Sequence, residues 1–237
     1  MPSKSDKPVA IVTGGGRGMG GAIARELASK GYALALTSPS ESCEKLAKEL
    51  GAVARRGRTE NADDIKGIVD LALDTYGRID AVVNFAGHPP KGDLIDISDE
   101  NWSLGNDMMV LSVVRMTRLV TPVMLSQGKG AFVNISTFAA FEPSLGFPVS
   151  CAYRAALGAF TKLYADRYAE NNIRMNSVLP GFIDSLESKP GTAEKVPMKR
   201  IGKVSEIAGT VAFLLSDAAG YITGQNLRVD GGLTRHV

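Results

Sequence analysis

Two cysteines and two histidines in 237 residues leave this sequence without the material for a disulfide framework or a metal-ligand cluster. Cys43 and Cys151 are too far apart for a zinc knuckle. No window of 18 or more residues is uninterruptedly apolar, so no membrane span is predicted. The first eight residues, Met-Pro-Ser-Lys-Ser-Asp-Lys-Pro, are polar and lack the apolar core of a secretory signal. Charge of one sign is also scarce. Against 27 Lys and Arg stand 25 Asp and Glu, a net of +2 with no basic run, which argues against nucleic acid or a membrane surface as partner. A cytoplasmic protein is expected.

What is present is ordinary for a globular chain: 44% hydrophobic and 22% charged residues, in a length that suits one α/β domain. Val9-Ala-Ile-Val-Thr13 is a β-branched run that stops at a glycine cluster, after which Met19, Ile23 and Leu27 recur at helical spacing. Further strands are read at Ala33–Thr37, Val53–Arg56, Ala81–Asn84, Ala131–Ile135, Ile173–Val178 and Asn226–Val229. Helical patterns at about 41–50, 62–77, 99–126, 150–171 and 203–217 lie between them. Strands alternating with helices imply parallel crossovers and a doubly wound sheet. The expected architecture is a polar tail at 1–7, then one Rossmann-like α/β domain at 8–237 with a seven-stranded parallel sheet. Pro190, Gly191 and Pro197 place a short lid at about 184–198.

Thr13-Gly-Gly-Gly-Arg-Gly-Met-Gly-Gly21 admits two glycine registers. Gly16-x-Gly18-x-x-Gly21 fits the generic dinucleotide expression, but with the strand ending at Thr13 the register Gly14-x-x-x-Gly18-x-Gly20 is better. In it Gly14 makes the tight turn, Gly18 admits a pyrophosphate and Gly20 packs helix on strand, with the amides of the helix start, Met19 included, facing the phosphates. With this loop, Asn84-Phe-Ala-Gly87, Ile173-Arg-Met-Asn-Ser-Val-Leu-Pro-Gly-Phe-Ile183 and Tyr221-Ile-Thr-Gly-Gln-Asn-Leu-Arg-Val-Asp-Gly-Gly232, the chain resembles the short-chain dehydrogenase/reductase family over residues 8 to 232. It is most similar to the branch of 3-oxoacyl-carrier-protein reductases.

In such folds an acid at the end of the second strand selects NAD by chelating the adenosine ribose. Thr37, Ser38, Pro39 and Ser40 stand there instead, and Arg17 is available to pair with a 2′-phosphate. NADP(H) is therefore expected over NAD(H). The resemblance adds Asn84, Ala86, Gly87, Pro180, Gly181 and Ile183 to the cofactor contacts. Ser185 replaces a threonine that commonly meets the phosphates. Arg58 aligns where the family usually has an Asp beside the adenine, which weakens that pocket or supplies another phosphate contact.

The catalytic positions depart from the pattern. The resemblance implies a Tyr acid, a Lys one turn later that lowers its pKa, an orienting Ser and an Asn in the preceding long helix. Here Thr137 takes the Ser position, Ser150 the Tyr position, Arg154 the Lys position and Met109 the Asn position. A rival register through Tyr153 puts Leu157 where the Lys belongs. Serine has no acidity comparable to tyrosine, and a guanidinium stays protonated, so Arg154 is no base. It can still hold a ribose hydroxyl or stabilise an oxyanion. His88, just after Gly87, has a pKa suited to proton transfer and is the first candidate for a replacement acid, with Glu142 behind it.

Two readings follow: an NADP(H)-dependent oxidoreductase with an atypical site acting on a small carbonyl or alcohol, or a catalytically inactive nucleotide-binding or scaffold homologue. A dehalogenase-like relative is disfavoured, because that class needs the Tyr and abandons the glycine loop. The resemblance implies a homodimer or homotetramer through helices 99–126 and 150–171, whose Trp102, Val113, Leu157 and Phe160 are either interface or core.

Overall fold

A computed structural model describes residues 5–185, 187 and 189–235. Seven parallel strands form one sheet in the order β3-β2-β1-β4-β5-β6-β7. They are β1 (Val9–Thr13), β2 (Ala33–Ser38), β3 (Val53–Arg56), β4 (Ala81–Asn84), β5 (Gly130–Ile135), β6 (Ile173–Pro180) and β7 (Asn226–Val229). Their crossovers are carried by helices on both faces, as the alternating pattern requires. Residues 1–4 of the expected tail lie outside the described residues, but from Ser5 the chain is held down. Its amide donates to the Tyr76 carbonyl at 2.8 Å, and Arg78 reaches the Ser5 carbonyl.

Because successive strand residues face opposite ways, each strand feeds two cores. On one face Val12, Leu36, Val133 and Val178 pack beneath α1 (Gly18–Ser29), α2 (Ser42–Leu50) and α8 (Val204–Leu215). On the other Ile11, Val82, Phe132 and Met175 pack beneath α3 (Ala62–Tyr76), α5 (Ser112–Gln127) and α6 (Pro148–Tyr168). Helix starts follow the local chemistry: the Asn61 side chain accepts from the Asp63 amide at 2.8 Å to cap α3, and Pro148 opens α6.

The pattern expected as one helix at 99–126 is interrupted. α4 (Asp99–Asn106) passes through a π turn at Asp107–Leu111 before α5 begins. Within the turn Ser112 Oγ donates to the Met108 carbonyl at 2.7 Å. Arg115 pins the turn from outside by pairing with Asp107 at 2.7 Å and donating to the Glu60 carbonyl at 2.9 Å. The segment Asp99–Gln127 is long and apolar enough to cross a membrane, yet it packs on α3 and α6 as a core helix. Two residues read as interface or core are resolved here: Val113 and Leu157 are fully in the core, while Trp102 is half-buried and stacks edge-on against Tyr153.

The expected lid at 184–198 contains a single helical turn, α7 (Thr192–Lys195), with Leu186 and Ser188 outside the described residues. Its root is fixed. Phe182 and Asp184 exchange backbone hydrogen bonds with Gly202, and the Asp184 carboxylate caps the first amide of α8 at 2.8 Å.

Candidate functional site

The strand order reverses between β1 and β4, and the crevice beyond the carboxyl ends at such a reversal is where open parallel sheets bind ligands. Thr13 Oγ1 joins the two ends, donating to the Phe85 carbonyl and accepting from the Phe85 amide, each at 2.8 Å.

The glycine loop lies over that junction. Gly14 (φ 62°) and Gly18 (φ 53°) adopt left-handed backbone that side chains resist. A Cβ on Gly20 would come 2.1 Å from the Gly14 carbonyl oxygen, so α1 meets the loop through bare backbone. Above Gly18 the nearest atom to such a Cβ is Ser185 Cβ at 3.6 Å. α1 starts after Arg17 with no side-chain cap and no acid in its first turn. The amides of Gly18, Met19 and Gly20 therefore face outward at the positive end of the helix, the donor set a pyrophosphate takes. The Met19 side chain packs back onto the core.

At the end of β2, Ser38 Oγ donates to the Ser40 carbonyl at 3.0 Å and lies 3.4 Å from Ser42 Oγ. A Cβ on Gly16 would meet those two hydroxyls at 2.9 and 2.1 Å, which sets the serine corner directly beside Arg17. Arg17 is exposed and forms no ion pair among the described residues. Arg58 is exposed; its guanidinium pairs with Glu60 at 3.3 Å and its amide donates to Asp64. Across the crevice the Asn84 side-chain amide turns inward to Asn134, leaving Ala86 on the pocket wall and Gly87 in open space. Pro180 ends β6, and the Gly181 amide donates to the Val229 carbonyl at 3.1 Å. The Ile183 amide has no acceptor among the described residues and is free for a ligand. An uncapped, acid-free helix start under a bare glycine cradle and a free amide opposite fit a dinucleotide.

Beyond that cradle, α6 carries Ser150 and Arg154. Arg154 is nine-tenths buried; its Nε donates to Ser150 Oγ at 3.2 Å and its Nη1 to the Ile135 carbonyl at 2.5 Å. Burial pushes the guanidinium down to about 10, so it remains a cation at neutral pH. No acid lies within ion-pair distance among the described residues. Ser150 is buried with it, and Arg154 is its hydrogen-bond partner, so no base stands ready to activate the hydroxyl. Thr137 is half-buried two residues beyond Ile135, its Oγ1 accepting from the Ala139 amide at 3.4 Å. Met109 is buried on the wall of a cavity of about 20 Å³, room for about one water, that Arg154, Asn84 and Ser112 also line. Tyr153 stacks on Trp102 and does not line this pocket. His88 stands exposed at the mouth. Partial desolvation, and then the charges of Lys91 and Arg154, lower its pKa below the usual histidine value, so its protonated form is scarce at neutral pH. Glu142 accepts from the Arg235 amide.

Comparison with known proteins decides the family. A family model described as enoyl-(acyl carrier protein) reductase matches residues 14–234. The chain belongs to the short-chain dehydrogenase/reductase family. A 3-oxoacyl-acyl-carrier-protein reductase of Synechocystis is 34% identical, over 95% of this chain and 96% of that one. One from Staphylococcus aureus is also 34% identical, over 94% and 97%. Nodulation protein G of Rhizobium meliloti is 32% identical, over 94% and 96%. Among solved structures, YwfH, described as an NADPH-dependent reductase involved in bacilysin biosynthesis, superposes with a TM-score of 0.92. It shares 24% identity over 98% of this chain and 100% of that one, and so speaks for the fold.

Sequence reasoning missed a buried polar chain below the short-chain dehydrogenase/reductase crevice. Asn84 donates to Asn134 at 2.8 Å, Asn134 to Thr161 at 3.0 Å, and Thr161 meets Ser177 at 2.9 Å. The signal was available: Asn84 ends one apolar strand, Asn134 interrupts another, and they are register partners on β4 and β5. Lys91 and Ser112 gave no comparable signal.

Proposed function

We propose that this chain is an NADP(H)-dependent oxidoreductase that interconverts a small carbonyl compound and its alcohol, using a Ser150–Arg154 pair where relatives have Tyr and Lys. The observation that carries the reading is the Gly14–Gly18–Gly20 cradle at an uncapped, acid-free α1 start, whose first amides have no side-chain partner. The Ser38 and Ser42 hydroxyls against Gly16, with Arg17 exposed at the next position, support the 2′-phosphate form of the cofactor. The relatives named as 3-oxoacyl reductases support a carbonyl substrate.

A nicotinamide cofactor, when bound, supplies or accepts the hydride. The Gly18, Met19 and Gly20 amides would hold its phosphates, Ala86 and Gly87 would border the ribose, and the Ile183 N–H would take the carboxamide. Arg58 serves the phosphate only by giving up Glu60. Thr137 and Ser150 point hydroxyl hydrogens at the reacting oxygen, and the Arg154 cation behind Ser150 offsets the negative charge that grows there. His88 at the mouth supplies the proton when protonated. The test is NADPH oxidation against a panel of small ketones and ketoesters, with deuteride transfer from labelled NADPH as confirmation.

A second reading, a nucleotide-binding homologue without catalysis, is favoured by the Ser150 hydroxyl having only a cation for a neighbour. It predicts tight NADPH binding and no transfer to any carbonyl. With either reading we propose a cytoplasmic homodimer or homotetramer. Unpaired thiols at Cys43 and Cys151 and exposed Leu104, Leu125 and Leu163 on α4, α5 and α6 support it. Light scattering on the purified chain tests the assembly.

A further inference from the structure

Arg154 poses a question the reaction does not answer. A cation this buried is costly without a counter-charge, and none of the residues lining its pocket is acidic. Two of its five N–H groups are taken, by Ser150 and by the Ile135 carbonyl. Its Nη2 makes no hydrogen bond to any described residue and is not enclosed, so the end of the guanidinium fork opens into the pocket.

The groups around it are donors as well. Ser150 Oγ accepts from Arg154 Nε, and Thr137 Oγ1 accepts from the Ala139 amide, which leaves both hydroxyl hydrogens free to donate. Ser136 Oγ, next in sequence to Ile135, is buried with no partner. At the mouth, His88 stands near enough to both Lys91 and Arg154 for their charges to act on it. A neutral ribose hydroxyl would satisfy a hydrogen bond there without offsetting the charge. The cavity that Arg154 lines, about 20 Å³, has room for one oxygen of an acid group in place of one water.

We propose that the floor of this cleft is a carboxylate site, in which the open end of the Arg154 fork takes the acid group of a small oxo or hydroxy acid and leaves the Ser150 and Thr137 hydroxyls to its reacting oxygen. The inference rests on the proposed oxidoreductase reading and narrows its substrate to anionic carbonyl compounds.

Calorimetric titration of the full chain tests it, with pyruvate and acetoacetate each set against its methyl ester, with saturating NADP⁺ and again without. At least one acid should bind about tenfold more tightly than its ester, the scale of a charge-assisted pair. Arg154→Gln, shown to be folded by circular dichroism, should bring acid and ester within about twofold of each other; Arg154→Lys should retain part of the preference. Equal binding of acid and ester in both pairs by the wild-type chain overturns the proposal without any variant. NADP⁺ binding with no acid preference sinks this inference alone. An acid preference in a chain that does not bind NADP⁺ upholds it and sinks the cofactor reading.

Discussion

Rebuilding the tyrosine acid should raise activity, and the structure says by what route and at what cost. Ser150 and Arg154 sit one turn apart on the same face of α6, with Nε 3.2 Å from Oγ, so Ser150→Tyr with Arg154→Lys returns a phenol and its cation to one face. Arg154→Lys withdraws the donor of the Ile135 carbonyl, and an orphaned buried carbonyl costs about 1–3 kcal/mol. Met109 lines the pocket wall at the position where the family resemblance implies an Asn, so Met109→Asn completes the variant. A positioned general acid contributes about 10²–10⁴-fold. The triple variant should therefore reduce a simple ketoester with kcat/KM at least about 10² above wild type, read from NADPH absorbance, while its Tm falls by several degrees. A wild-type rate equal to that of a folded, NADPH-binding triple variant refutes the argument that the acid is missing.

Other expectations follow from single positions. Gly20→Ala drives a Cβ to 2.1 Å from the Gly14 carbonyl and should weaken NADPH binding by at least about 100-fold. Gly209→Ala, with open space around it on α8, should instead stabilise the fold by about 0.5–1 kcal/mol in urea unfolding. Because the folded pKa of His88 is lowered, a rate that depends on its protonated form should fall as pH rises through a value below 6.5 and be nearly gone by pH 8. His88→Ala should thus lose turnover at pH 5.5 and match wild type within about threefold at pH 8; equal losses at both pH values would contradict it. Phe132→Ala, emptying a fully buried site that Tyr164 meets edge-on, should cost about 3–5 kcal/mol by denaturant titration.

The strands were legible because a parallel sheet buried on both faces demands short β-branched runs, and the seven found match those expected to within two residues at each end. The glycine register was legible for the same kind of reason: Gly20 is fixed by a contact only bare backbone tolerates. What periodicity does not carry is how a helix spends its hydrogen bonds. The π turn at Asp107–Leu111 depends on Ser112 and Arg115 reaching back to local and distant carbonyls, a tertiary arrangement invisible to a hydrophobic repeat. Likewise the substitution at Arg154 could be read, but not that its side chain folds onto the Ile135 carbonyl. Val113 and Leu157, legible as apolar, could not be assigned to core or interface until α5 and α6 were seen packing inward.

The most direct test is an equilibrium fluorescence titration of the wild-type chain and Arg17→Ala with NADPH and NADH. The wild type should bind NADPH about 10–100-fold more tightly than NADH, the range of a charge-assisted phosphate pair, and Arg17→Ala should narrow that preference. Equal affinities, tighter NADH binding, or no binding of either cofactor would contradict the account.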